Sequence, residues 1–411
     1  MSRIDACRSC GAAGLATVLS LGETPLANAL LREEDLGRAE PRYPLDLVFC
    51  QACSLVQITE TVPPEILFRE YLYFSSFSDT MVRHAEELTA RVVRERGLGA
   101  GSLAVEVASN DGYLLQYYKR AGVPVLGIEP ARNIAKVAVE ERGIPTVAEF
   151  FGLELARQLV AEGRRADVIH ANNVLAHVAD LNGFVAGIAV LLKESGAAVV
   201  EVPYLGEMVP NLEFDTIYHE HLCYFSLTAL SRLFARHGLA VTDVEQIPLH
   251  GGSLLLTATP AAARRSPSAR VEALLGHEAK DGLSGPEYYA NFAPRVAAWR
   301  EEFRSFLAGL KAKGLRLAAY GAAAKGSTLL NYAGVGTDLL DFVVDRSTVK
   351  QGRYMPGVHL QIRPPEALLE ERPAAVVLLT WNFKEEILRQ QAEYRRAGGR
   401  FVVPIPRVDW A

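Results

Sequence analysis

The sequence predicts an α/β protein in three parts. A small metal-stapled N-terminal module precedes a central doubly wound sheet, and a second, smaller α/β unit follows. Three observations predict this. Two Cys-x-x-Cys pairs stand within the first 53 residues. From about 102 to 202, short apolar runs alternate with amphipathic stretches, the pattern of a parallel sheet covered by helices. From about 290 the alternation resumes. A chain of 411 residues is also too long for one ordinary core. Boundaries are expected near 1–70, 71–285 and 286–411.

Each part has its own signals. Cys7, Cys10, Cys50 and Cys53 suit one tetrahedral Zn²⁺, because each knuckle aims two thiolates at one point. The 39 residues between the pairs exceed the usual ribbon spacing. With four protein ligands the metal has no open position, so a structural role is expected. Disulfides are the alternative, which a cytosolic chain disfavours. Thr24-Pro25, Glu40-Pro41 and Pro63-Pro64 make the module read as loop-rich. Met81, Ala85, Leu88 and Val92 recur at helical spacing over 78–96. Leu103–Val107, Val125–Ile128, Val168–Ala171 and Ala197–Val202 read as strands, with helices between them. A strand pair is expected at Leu239–Gln246 and Ser253–Thr259, then a polar linker and the start of a helix over 261–284. The third part reads as a helix to Lys313, then strands at 316–320, Leu340–Val344, Ala374–Leu379 and Phe401–Val403.

Apolar residues make up 49% of the chain and charged residues 22%, an ordinary globular balance. A net charge of −5 argues against nucleic acid or an anionic membrane as partner. No apolar run is long enough to span a bilayer and none reads as a signal peptide. A cytoplasmic protein is expected.

The strand Leu103–Val107 carries Glu106 and runs into Ala108-Ser109-Asn110-Asp111-Gly112, a tight small-residue turn before a helix. The second strand ends in Glu129-Pro130, where a carboxylate can accept both hydroxyls of a ribose. Ala108 and Asn110 stand where a dinucleotide turn calls for glycine, which disfavours NAD. The loop resembles that of class I methyltransferases and points to S-adenosylmethionine. Asn172 and Asn173 follow the next strand, where the transferring methyl group would lie.

Tyr218-His219-Glu220-His221 concentrates two imidazoles, a carboxylate and a phenol. Such groups can remove a carbon-bound proton and stabilise the resulting enolate. His221 or His177 can be the base, and Glu220 can orient an imidazole. Tyr218, Tyr71 or Tyr73 can donate to the oxyanion. The pattern lacks the His-Glu-x-x-His spacing of a zinc protease. In the third part, Gly321 to Thr328 is a small-residue turn entering a helix. Lys325, Ser327 and Thr328 there could hold a diphosphate. It lacks the spacing of an ATP loop, which disfavours phosphoryl transfer. Lys350, Arg353, Trp381 and Asn382 add charge and a stacking surface.

Taken together, these motifs resemble the sugar C-methyltransferases of deoxysugar biosynthesis, which act on nucleotide-linked 4-keto-hexoses. The resemblance spans nearly the whole chain. It includes the cysteine pairs, Pro25-Leu26-Ala27-Asn28, 71–76, 106–112, 171–177, Asp215 to Phe225, His250-Gly251-Gly252-Ser253, the C-terminal turn and 344–354. It implies a zinc module, a central class I methyltransferase domain and a C-terminal Rossmann-like domain that helps hold the nucleotide, often dTDP. It implies His221 as base, supported by Tyr218, Glu220, His177 and one of Tyr71 or Tyr73. It places Glu106, Ala108, Asn110, Asp111, Gly112, Glu129, Pro130, Glu149, Phe150, Asn172 and Asn173 around S-adenosylmethionine, with S-adenosylhomocysteine as product. His250, Gly251, Ser253, Lys325, Ser327, Thr328, Asn331, Lys350, Arg353, Trp381 and Asn382 fall to the sugar nucleotide. The family suggests a monomer. Leu255, Ala323, Ser327 and Thr380 depart from its usual residues, all on the sugar–nucleotide side. Two other readings are an O- or N-methyltransferase of the same fold and a non-catalytic nucleotide-sugar-binding zinc protein.

Overall fold

The computed structural model describes residues 2–68, 74–249 and 251–411. Tyr71, Tyr73 and His250 lie outside the described residues. The central sheet has seven strands, in the spatial order Leu239–Ile247, Ser253–Pro260, Leu192–Pro203, Ala166–Asn172, Ala104–Val107, Val125–Ile128 and Thr146–Val147. The last five pair in parallel and the first two antiparallel. The earliest strand, Ala104–Val107, sits inside the sheet, so the chain winds away from it in both directions. Ligands bind at such a switch point, beyond the carboxyl ends of the strands.

The C-terminal sheet repeats this design. Leu317–Tyr320 lies between Val343–Val344 and Ala375–Leu378, and all three are parallel. Ile362–Arg363 and Arg400–Val403 extend the two sides in parallel, and Asp409–Trp410 closes one edge antiparallel. Its switch point is the turn from Gly321 into the helix Ala324–Ala333. Fully buried Val, Ile, Leu and Ala fill the strands of both sheets, as sheets covered on both faces require. The helix predicted over 78–96 forms as Asp79–Arg96. The Ser78 side chain caps its start, and Gly97 ends it in the left-handed conformation.

The structure adds to two sequence expectations. The loop-rich N-terminal module also holds a sheet. Ala16–Thr24, Tyr43–Phe49 and Val56–Ile58 form an antiparallel sheet, completed by Cys223–Tyr224 from the far side of the chain. Pro44 and register shifts within the first strand pair hid the two-residue period. The helix expected to start within 261–284 forms as Ala269–Asp281, 13 residues long. Its apolar stripe is sparse (Val271 and Leu274), and buried Glu278 carries the packing instead. That carboxylate accepts from Leu227 N at 2.6 Å and from Thr228 N and Oγ1 at 2.8 and 2.6 Å, capping the helix Leu227–Arg236. Among the described residues no helix is long and apolar enough to cross a membrane.

Candidate active site

The four knuckle cysteines converge. Their sulfurs lie within 4.8 Å of one another, with Cys7–Cys53 at 3.5 Å and Cys10–Cys50 at 3.6 Å. Four thiolates about 2.3 Å from a tetrahedral zinc stand about 3.8 Å apart, so the cluster fits that ion. The separations are far too long for disulfides, which need about 2.05 Å. Both knuckles use one local design. Gly11 N donates to Cys7 O and Ser54 N to Cys50 O, and both donors have positive φ (74° and 64°). The first knuckle is bolted to the central domain by Asn182, which donates to Arg8 O and Ser9 O at 3.0 and 3.1 Å.

One cavity of about 700 Å³ runs between all three parts of the chain. Its central wall is the turn after Ala104–Val107. Ala108, Asn110 and Gly112 there have φ of 55°, 49° and 77°. The backbone thus takes glycine-like conformations even where glycine is absent, at about 1–2 kcal/mol for the alanine. Asn110 is eased by its own side chain, whose Oδ1 accepts from Ser75 N and Asp111 N at 2.9 and 3.0 Å. Glu129 faces the cavity, its two oxygens held by Asn110 N at 2.9 Å and Ala131 N at 2.8 Å. Burial pushes its pKa up to about 7. Asn172 and Asn173 line the same wall, each with a buried Oδ1 lacking a hydrogen bond. Glu106 is fully buried beneath the turn, and burial raises its pKa strongly.

Opposite this wall stand the imidazoles. His221 Nδ1 lies 2.9 Å from Thr216 O. A carbonyl can only accept, so Nδ1 carries the proton and Nε2 holds the lone pair. Tyr218 OH donates to that Nε2 at 2.7 Å. His177 packs edge-on at 4.7 Å between ring centres, and its Nδ1 donates to Glu220 O at 2.8 Å. Burial depresses the His177 pKa to about 4, which leaves the imidazole neutral near pH 7. Glu220 accepts at Oε1 from Asn28 Nδ2 at 2.7 Å, so the N-terminal module reaches into the site. His219 turns away and donates to Pro44 O at 3.1 Å. Among the described residues the four cysteines are the one His/Cys/carboxylate group placed to hold a metal.

The third wall comes from the C-terminal part. Lys325, Lys350 and Asn382 line the cavity. Lys325 Nζ sits 3.1 Å from Asn382 Oδ1 and 4.5 Å from the centre of the Trp381 ring. Lys350 Nζ donates to Ala322 O at 2.9 Å.

Two family models describe this division in other terms: a zinc binding domain matches 7–68 and a methyltransferase domain matches 81–244. A third, described as the C-methyltransferase C-terminal domain, matches 248–406. C-methyltransferase NovU of Streptomyces niveus is 38% identical over 403 residues, covering 98% of this chain and 96% of that protein. The chain belongs to the C-methyltransferase family. S-adenosylmethionine is its methyl donor and zinc its structural metal. A ubiquinone biosynthesis O-methyltransferase of Methylobacterium sp. (strain 4-46) is 34% identical over 89 residues, 21% of this chain and 34% of that protein. The magnesium protoporphyrin IX methyltransferase of Synechocystis PCC 6803 with bound SAM covers 43% of this chain and 78% of its own, at 13% identity and TM-score 0.34.

Within this C-methyltransferase, the cavity gathers Ala108, Asn110, Glu129, Pro130, Phe150, Asn172, Asn173, His177, Tyr218, Glu220 and His221 with Lys325, Lys350 and Asn382. Other candidate residues do not line the cavity. Asp111 is buried and paired with Arg142 at 3.0 Å, and Gly112 packs on Ile144. Gly251 abuts Glu213, and Ser253 Oγ donates to Leu249 O at 3.0 Å. Ser327 and Thr328 are buried in their helix. Asn331 ties Ser327 O to Pro356 O at 2.9 and 3.0 Å. Glu149 is exposed, Arg353 follows the turn at Lys350, and Trp381 lies beneath Lys325. Sequence reasoning assigned no role to Asn28 or to the Thr216 carbonyl. The segment Pro25 to Asn28 held the only signal for the first. A main-chain oxygen leaves no sequence signal at all.

Proposed function

We propose that the enzyme methylates carbon, at C3 most simply, of a 4-keto-deoxyhexose linked to a nucleoside diphosphate such as dTDP. The observation that carries this reading is the Tyr218–His221 pair, with its Nδ1 proton held by Thr216, inside a cavity that also holds Lys325 and Lys350. O-methylation needs one base at most. C-methylation needs a base for carbon and a donor for the keto oxygen together. When bound, S-adenosylmethionine supplies the electrophilic methyl and takes back the bonding pair on sulfur. His221 Nε2 takes the proton from the carbon next to the ketone. The Tyr218 hydroxyl moves from Nε2 to the keto oxygen and donates there as negative charge develops. Neutral His177, with its one proton on Glu220 O, can only accept at Nε2, so the phenol is the better oxyanion donor. Lys325 and Lys350 supply positive charge for the diphosphate.

Exchange of the sugar C–H into deuterium oxide, followed by mass spectrometry, tests the reading. A dTDP-4-keto-deoxyhexose should exchange with S-adenosylhomocysteine present and gain one methylene on carbon with the methyl donor. A product methylated on oxygen, without exchange, would replace this reading with the O-methyltransferase.

Glu129 is the proposed ribose acceptor, and its raised pKa gives a second expectation. The ribose hydroxyls donate, so the ionised carboxylate binds best. Burial keeps Glu129 protonated below about pH 7. The affinity for S-adenosylhomocysteine should therefore weaken as pH falls through 7, approaching about tenfold per unit, and flatten above about 8. Titration calorimetry from pH 5.5 to 8.5 reads this. Glu129→Gln should bind weakly and without that slope.

A further inference from the structure

Trp381 reads from sequence as a stacking surface for a nucleotide. Its contacts point elsewhere. The indole Nε1 donates to Asp215 Oδ2 at 2.7 Å, joining residues 166 apart in sequence. Asp215 is fully buried, and its Oδ1 has no hydrogen-bond partner. It sits in the 3-10 turn Phe214–Thr216. The Phe214 ring packs at 4.7 Å from Trp299 and 5.2 Å from Tyr332, both in the C-terminal part. Thr216 N and Oγ1 both donate to Glu213 O, at 3.1 and 2.6 Å. The Thr216 carbonyl then takes the His221 proton at 2.9 Å. The turn that sets the imidazole's tautomer is thus fastened to the C-terminal part on both sides. The indole N–H is the hydrogen bond that joins this turn to that part, and the Lys325 charge acts on Asp215 as well.

We infer that Trp381 is a positioning residue: through Asp215 and the Phe214–Thr216 turn it holds His221 with its proton on Nδ1 and its lone pair toward the substrate. The inference rests on the reading of His221 as base. It couples the two ends of the substrate. Lys325 lies over the face of the same indole, so the anion site and the base share one side chain. A fixed carbonyl at Nδ1 is what keeps Nε2 unprotonated, and a shift of about 1 Å in a positioning group can lower turnover by up to about a hundredfold.

Trp381→Phe keeps the aromatic face under Lys325 and removes only the N–H. Its kcat should fall roughly ten- to a hundredfold, with KM for the nucleotide-sugar within about twofold. Asp215→Asn can still accept from the indole through its amide oxygen and should keep kcat within about threefold. Asp215→Ala should match Trp381→Phe, and the double variant should be no worse than either single one. The deciding readout is the His221 tautomer, from ¹⁵N-histidine long-range correlation spectra of the full-length holo-protein, assigned with His221→Asn. Wild type should show Nδ1–H, and Trp381→Phe a mixture or the other tautomer. An unchanged tautomer in Trp381→Phe overturns the inference, as does a loss confined to KM. A shifted tautomer in Trp381→Phe together with an active His221→Asn keeps the positioning and removes His221 from the base role.

Discussion

Replacing His221 by asparagine should lower turnover by about 10²–10⁴-fold, the usual contribution of a positioned general base. The affinity for S-adenosylhomocysteine should stay within about twofold. The physical case is favourable for a clean test. Asparagine Nδ2 can replace Nδ1 as donor to the Thr216 carbonyl, which His221 meets at 2.9 Å. No buried acceptor is then stranded, so a stability loss should not confuse the result. What disappears is the lone pair at Nε2. Hydrogen exchange at the sugar carbon should fall by the same factor as methylation, because both begin with removal of that proton. A variant that exchanges and methylates at wild-type rates would move the base role to another group in the cavity.

Removal of zinc should abolish turnover, although the metal stands outside the cavity walls. Structural zinc in small modules contributes roughly 10–16 kcal/mol of apparent folding free energy, as much as an ordinary domain's whole stability. The module it secures is not peripheral. Val56 and Gln57, a few residues after Cys53, pair with Tyr224 and Cys223, which lie three and two residues after His221. Asn28 of the same module donates to Glu220. Chelation of zinc, or Cys50→Ser, should therefore disorder both the module and the segment that carries the imidazoles. One face of the central sheet packs a core of its own around Leu88, Leu114, Tyr118 and Val168, so it should still bind S-adenosylhomocysteine within about tenfold. Metal analysis, calorimetric titration and turnover on one sample check this. Zinc-free protein with full activity would show that the four cysteines do not hold the catalytic segment in place.

The strand–helix alternation was readable because local pattern decides it. Val125–Ile128 is apolar on both faces, Ala104–Val107 is interrupted only by Glu106, and both are bounded by turn residues, so they could be read one window at a time. The cysteine knuckles and the turn at Asn110 to Gly112 were readable for the same reason. The N-terminal sheet was less readable, since its fourth strand is only two residues long and arrives from position 223. Only the start of the helix Ala269–Asp281 was readable, because a buried carboxylate, Glu278, replaces an apolar side chain at its packed face.

The sequence by itself determined the three-part α/β organisation, the cysteine set, the turn beside Glu129 and the presence of proton-handling groups at 218–221. Only the tertiary structure decided what those groups face. It put Asn28 on Glu220, Trp381 on Asp215 and the Thr216 carbonyl on His221, and so set which nitrogen of His221 carries the proton. The physical reason lies in the range of the forces. Strand and helix patterns come from side-chain periodicity over a few residues, which a linear text records. A tautomer is set by a single hydrogen bond within about 3 Å, whose partner can be a main-chain oxygen or a side chain more than a hundred residues away.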